Sequence, residues 1–82
     1  MVTIEIEYCV PCGLLDPAME TERALLERFG RDLDGVRLTP GHGGVFTVSV
    51  GGETVYDKAV HGNRIDREAI VEEIEERVAM DA

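Results

Sequence analysis

Two cysteines, Cys9 and Cys12, are the residues of this sequence whose type and spacing could carry out chemistry. They lie in the segment EIEYCVPCGLLDP (5–17), with two residues between them. A disulfide joining them would close so short a ring that it would add little stability as a crosslink. The pair is therefore more typical of a redox couple or of part of a metal site than of a structural staple.

A metal site would need ligands beyond the two thiols. Structural zinc takes about four protein ligands, and the histidines of the chain are His42 and His61. These two lie in separate segments next to glycines and lack the spacing of a histidine pair, so we expect both in exposed loops. Redox-active, metal-binding and inert thiols stay open as alternatives, redox chemistry is favoured, and we expect no bound cofactor.

The position of the cysteines in the chain favours redox chemistry. Cys9 and Cys12 follow a strand-like run and precede a predicted helix, whose N-terminal N–H groups and dipole favour an ionised thiol. Pro11 stiffens the connecting turn and removes one backbone donor, and Gly13 leaves the approach to Cys12 open. The predicted site thus comprises two reacting cysteines with Pro11 and Gly13 in support.

The first half of the chain predicts a strand followed by a helix. Residues 2–8 alternate between apolar and polar side chains, the pattern of a strand with one buried face. Asp16 and Pro17 predict a helix start, with Asp16 as the N-cap and Pro17 at the first helical position. Gly30 is the predicted helix end. The apolar stripe of this helix consists of Ala18, Leu25, Leu26 and Phe29.

The middle of the chain predicts three further strands. A short one contains Val36 and Leu38, and the segment TPGHGG (39–44) is a predicted loop. The Thr39-Pro40 bond resembles the position of the cis-proline of thioredoxins, although X-Pro bonds are in general mostly trans. Two alternating runs, 45–50 and 53–60, are separated by two glycines, which predicts a hairpin because glycine tolerates the positive φ of tight turns.

The last segment predicts an acidic helix that begins after the N-cap Asp66. On its exposed face, Glu73 and Arg77 form the one favourable i,i+4 pair. Its predicted core positions are Ala69, Ile70, Ile74 and Val78.

These elements give the order β-α-β-β-β-α in a single domain, residues 1–82. The first two strands flank a helix and should be parallel through a right-handed crossover. A central strand covered on both faces would be apolar throughout, whereas the first strand alternates with charges, so both helices should lie on one face. We predict an α/β, two-layer thioredoxin-like sandwich with a mixed four-stranded sheet.

The composition is that of an acidic protein. Seventeen Asp and Glu oppose eight basic residues, a net charge of −9, which disfavours nucleic acid and anionic membranes as partners. Lys58 is the single lysine, and an acidic, lysine-poor surface suits a salt-rich, halophilic-type cytoplasm. The N-terminal residues do not resemble a signal peptide, and no apolar run approaches the roughly 20 residues that span a bilayer. We expect a cytoplasmic protein.

The segment YCVPCG (8–13) resembles the redox motif that follows the first strand of the selenoprotein W-like proteins, also called the Rdx family. These are small thioredoxin-like proteins with a C-x-x-C or C-x-x-selenocysteine motif. The segment GGVFTVSVGGETVYDK (43–58) is similar to the family's glycine-aromatic strand, glycine turn and lysine-bearing strand. The resemblance runs nearly end to end and indicates a cysteine-containing form, with Thr47 where the family usually carries an acidic residue.

The resemblance implies a redox protein that handles thiols. Our first hypothesis is a thiol–disulfide oxidoreductase that acts on a thiol- or disulfide-bearing protein or on a small thiol. The alternative is a binding module that docks a partner by its open sheet face and uses the cysteines as a redox-controlled latch. The residues of that face are Thr3, Glu5, Glu7, Thr47 and Ser49.

The general behaviour of thioredoxins and the family resemblance predict different attacking sulfurs. In thioredoxins generally the first cysteine attacks, which would be Cys9. The resemblance favours Cys12, because the family's selenocysteine occupies its position. The negative charge of Glu7 also disfavours a thiolate at Cys9, so we expect Cys12 to attack.

The acidic composition leads to a prediction about salt. We expect the fold to gain stability as potassium chloride is raised from millimolar to molar, because salt screens the repulsion within a chain of net charge −9. Thermal unfolding across that range measures the effect. A midpoint that stays flat or falls would contradict the halophilic interpretation and leave the redox hypothesis unaffected.

Overall fold

The order of strands and helices is the predicted β-α-β-β-β-α. The computed structural model describes residues 2–60 and 65–81. A short 3-10 turn, Gly30–Asp32, follows the first helix. The strands and helices are β1 (Val2–Cys9), α1 (Leu15–Phe29), β2 (Leu33–Gly41), β3 (Phe46–Val50), β4 (Glu53–Asp57) and α2 (Arg67–Asp81).

The four strands form one mixed sheet in the order β2-β1-β3-β4. Strand β1 runs parallel to β2 and antiparallel to β3, and β3 and β4 form the predicted antiparallel hairpin. Gly51 and Gly52 make its turn with φ values of 58° and 90°. The C-terminal end of β1 is therefore flanked by the end of β2 and by the start of β3.

The two faces of the sheet differ as predicted. Apolar side chains of β1 are buried beneath the helices, whereas Thr3, Glu5 and Glu7 on the opposite face are exposed. Helix α1 packs over β1 and β2, and α2 packs over β3 and β4. Both helices thus cover one face, and the chain is a two-layer α/β sandwich. The core consists of Ile4, Ile6, Tyr8, Ala18, Leu25, Phe29, Leu33, Phe46, Val48, Val50, Tyr56, Ile70 and Ile74.

Helix α1 begins at Leu15, so the prediction of Asp16 as its N-cap is wrong. Leu14 is the N-cap residue, and no side chain caps this end. The reason is that the N–H of Leu14 donates to the carbonyl of Cys9, 3.2 Å away, and the carbonyl of Leu14 accepts the N–H of Ala18 at 3.0 Å. The helix ends at Gly30 as predicted. Leu26 is 43% exposed and does not belong to the core stripe.

Strand β2 is longer than predicted, because residues 39–41 extend it instead of forming a loop. They pair with Glu7, Tyr8 and Cys9 of β1. Proline has no backbone N–H to donate. Pro40 is tolerated because β2 is an edge strand, which has a neighbouring strand on one side only. No cis peptide bond occurs among the described residues, so the Thr39-Pro40 bond is trans. The hairpin strands are shorter than predicted, since β3 begins at Phe46 and β4 ends at Asp57.

Helix α2 begins after Asp66 as predicted, since the Oδ1 atom of Asp66 accepts the N–H of Ala69 at 3.2 Å. The guanidinium of Arg77 donates to both carboxylate oxygens of Glu53 in β4, and the predicted partner Glu73 adds a smaller electrostatic attraction that raises the pKa of Arg77. Packing of α2 over β4 brings Arg77 and Glu53 together, and a two-pronged bond is favourable for arginine. This hydrogen bond lowers the pKa of Glu53.

Candidate functional site

Cys9 and Cys12 lie together at the C-terminal end of the central strand. Their Sγ atoms are 2.13 Å apart, at disulfide-bonding distance, and their Cα atoms are 5.3 Å apart. Cys9 is the last residue of β1, and Cys12 lies in the turn before α1. The two predicted reacting groups therefore meet at the junction of strand and helix.

The residues between and after the cysteines form a tight turn. The N–H of Gly13 donates to the carbonyl of Val10 at 3.1 Å, which places Pro11 and Cys12 at its two central positions. Proline suits the first central position of such a turn because its φ is fixed near the required value. Gly13 has a φ of 76°, a left-handed value that other residues adopt only with strain. Pro11 and Gly13 thus shape the turn that presents Cys12.

Backbone hydrogen bonds fix the strand end to its neighbours. The N–H of Cys9 donates to the carbonyl of Val45 at 2.8 Å, and the N–H of Val10 donates to the carbonyl of Gly41 at 3.0 Å. The carbonyl of Cys9 accepts the N–H of Leu14. Segments from both flanking strands and from the start of α1 therefore hold Cys9 in place.

The two thiol positions differ in exposure. The side chain of Cys9 is fully buried, while Cys12 is exposed. Alternation along β1 would place Cys9 on the open face with Glu7, which is exposed. The backbone of Cys9 is bonded to Val45 and to Leu14, which flank the strand end. Sequence alternation alone does not reveal that Cys9 is buried.

Gly41, which pairs with Cys9, is closely approached from two sides. A Cβ at this position would lie 2.8 Å from Cγ1 of Val45 and 2.9 Å from Oε2 of Glu7. These distances are shorter than a normal van der Waals contact, so a larger residue here would displace the side chains of Val45 and Glu7. The Glu7 side chain consequently rests against the residue opposite the buried cysteine.

Among the described residues, His42 does not join the cysteines in a metal centre. His42 is exposed in the segment after β2, as predicted, and His61 lies outside the described residues. Within residues 2–60 and 65–81, no group of three or more His, Cys, Asp or Glu side chains is arranged to hold a metal ion. No helix in those same ranges has the length and apolar character needed to cross a membrane.

Exposed apolar side chains occur in the turn and in the first turns of α1, and the sequence patterns do not predict their exposure. Val10, Leu15 and Met19 are 51%, 44% and 50% exposed. Leu15 and Met19 are four residues apart in α1, a spacing that places both on one side of a helix. The sequence shows this four-residue spacing, but the apolar stripe of a buried helix face has the same spacing. The pattern alone therefore does not predict that these side chains are exposed.

Comparisons with known proteins agree with this geometry. Residues 3–76 match the model of the Rdx family. A protein of Bordetella parapertussis is 33% identical, with 93% of this chain and 96% of that chain covered and a TM-score of 0.88. A selenoprotein W-related protein from Vibrio cholerae is 22% identical, with 94% and 96% covered and a TM-score of 0.88. No curated protein matches the chain.

The close packing at Gly41 leads to a prediction. We expect Gly41→Ala to lower the free energy of unfolding of the oxidised protein by about 1–3 kcal/mol, because the added methyl group overpacks this site. Urea unfolding measures the change. Gly35→Ala in the same strand is the matched control, since a Cβ there meets nothing within 4 Å. Equal effects of the two substitutions would contradict the account of the packing.

Proposed function

The chain belongs to the Rdx family, and we propose that it carries out thiol–disulfide exchange through Cys9 and Cys12. The observation that carries the proposal is the pairing of one exposed and one buried sulfur at bonding distance. Such a pair can meet a partner through one sulfur and close a disulfide through the other. The chemistry requires no bound cofactor, and we place it in the cytoplasm.

The proposed reaction conserves atoms and electrons at each step. The thiolate of Cys12 attacks a partner disulfide, a mixed disulfide forms, and the first partner sulfur leaves as a thiolate that takes a proton from solvent. The thiol of Cys9 then loses its proton and attacks the Sγ of Cys12, which releases the second partner sulfur. Two thiols of this chain are oxidised and one partner disulfide is reduced. The reverse sequence oxidises a partner dithiol.

The difference in exposure between the two sulfurs supports these roles. A partner disulfide must reach the attacking sulfur, and Cys12 lies in an exposed turn whereas Cys9 is fully buried. The burial of Cys9 hinders direct attack by its sulfur on an external disulfide. Backbone bonds hold Cys9 within reach of Cys12, as a resolving thiol requires.

The second candidate function uses the open sheet face as a docking surface. Glu5 on this face is exposed, and its Oε2 atom accepts a hydrogen bond from Oγ1 of Thr39 at 2.6 Å. The Oγ atom of Ser49 lies 3.3 Å from Oγ1 of Thr54. These hydrogen bonds join side chains of this face to one another. An exchange catalyst turns over small disulfides, whereas a latch changes its affinity for one partner when oxidised.

Single-cysteine variants test the proposed order of attack. We expect Cys9→Ser to form a mixed disulfide with hydroxyethyl disulfide near neutral pH, and Cys12→Ser to do so roughly tenfold more slowly or worse, because its remaining thiol is buried. Mass spectrometry measures both rates, and their pH dependence gives the pKa of each thiol.

The thermal midpoint of each variant, measured beside the wild type, controls for loss of the fold. If Cys12→Ser reacted faster and Cys9 proved the more acidic thiol in folded protein, the two roles would have to be exchanged. If neither variant formed a mixed disulfide, the exchange function itself would be refuted.

A further inference from the structure

An apolar surface adjoins the exposed sulfur. Val10 lies between the two cysteines in the sequence, and Leu15 follows Cys12 by three residues at the start of α1. Met19 is one turn further along the helix. All three side chains are near half exposed. Large apolar groups in water gain free energy when a partner covers them. We call these three residues the apolar surface.

Nothing in the described part of the chain covers this side of α1. Side chains advance by about 100° per residue around a helix, so Leu15 and Met19 share one flank. The ion pairs that join α1 to α2 lie on other sides of the helix: Arg28 with Glu75 at 2.6 Å, and Glu20 with Arg67 at 3.5 Å. The apolar surface therefore faces away from α2.

Carboxylates border the same flank. A shallow groove beside Met19 is lined by Asp16, Glu20, Glu22 and Arg23. Glu20 is paired with Arg67, and Arg23 is paired with Glu27 at 3.1 Å. Asp16 and Glu22 make no ion pair with another described residue. The groove therefore carries an uncompensated negative charge next to its apolar wall.

We propose that the apolar surface and its acidic border dock a segment of a partner protein that carries apolar and basic residues beside its reactive disulfide. The proposal rests on the proposed function and names its substrate class. A partner sulfur that bonds to Cys12 brings its neighbouring residues towards Val10 and Leu15, which flank Cys12 in the sequence, and towards Met19 one helical turn further on. Apolar neighbours gain from burial there, and basic neighbours gain from Asp16 and Glu22. Anionic small disulfides such as oxidised glutathione gain neither.

Peptide disulfides of opposite chemistry test the proposal. The reduced protein reacts with two peptides of equal length, one with leucine and arginine beside the disulfide and the other with serine and glutamate, and with neutral hydroxyethyl disulfide as a reference. At low salt we expect the apolar, basic peptide to react roughly tenfold faster than the polar, acidic one. Molar salt should reduce the part of this preference that depends on charge.

Two variants of α1 locate the preference on the surface. The measured quantity is the rate with the apolar, basic peptide divided by the rate with hydroxyethyl disulfide. We expect Met19→Ser to lower this ratio roughly fivefold. Leu26→Ser is the matched control. Leu26 is similarly exposed at 43% and lies on the same flank, but about two turns further from Cys12, so this variant should keep the wild-type ratio.

Equal rates with both peptides, or equal ratios in Met19→Ser and Leu26→Ser, would overturn the docking proposal. Neither result would affect the proposed function, because reaction with hydroxyethyl disulfide would still demonstrate exchange. If the protein reacted with none of the three disulfides, the exchange function would instead be refuted. The thermal midpoints of both variants confirm that each is folded when its rates are measured.

Discussion

The hydrogen bonds that seat the end of β1 between its neighbours are the constraint on which the site depends. The Cys9 amide bonds to the carbonyl of Val45, and the next amide, that of Val10, bonds to the carbonyl of Gly41. These bonds continue the ladders to both flanking strands up to the residue where the chain turns. Because Cys9 is held inside this frame, its backbone is fixed at the strand end, and the chain turns away from the sheet before Cys12.

The remainder of the site follows from that constraint. A glycine with left-handed φ completes the turn at Gly13, and the carbonyl of Cys9 holds Leu14 at the start of α1. The helix therefore begins close to Cys12 and presents Leu15 and Met19 beside it. One buried sulfur, one exposed sulfur and an uncovered apolar flank are thus parts of a single local arrangement, and the proposed exchange and docking functions each use one side of it.

Local patterns predicted the fold well where one interaction decides the structure. The alternation in residues 2–8 and the Asp66 cap are of this kind, and both are present. Predictions failed where tertiary contacts compete with local signals. Asp16 does not cap α1 because the Cys9 carbonyl fixes Leu14, and the hydrogen bonds of Arg77 go to Glu53 of β4, with a smaller electrostatic attraction from Glu73. The burial of Cys9 depends on segments that are distant in the sequence. The C-x-x-C motif therefore predicted the cysteine pair, but not that Cys9 is buried and Cys12 exposed.

The most direct test of the central claim is a redox titration of the intact protein. The chain is equilibrated in mixtures of reduced and oxidised dithiothreitol, free thiols are trapped by alkylation, and the masses are measured. The account predicts one reversible two-electron transition between the dithiol and an intramolecular Cys9–Cys12 disulfide, in monomeric protein. Oxidation that yields only intermolecular dimers, or two alkylated thiols under every condition, would contradict it.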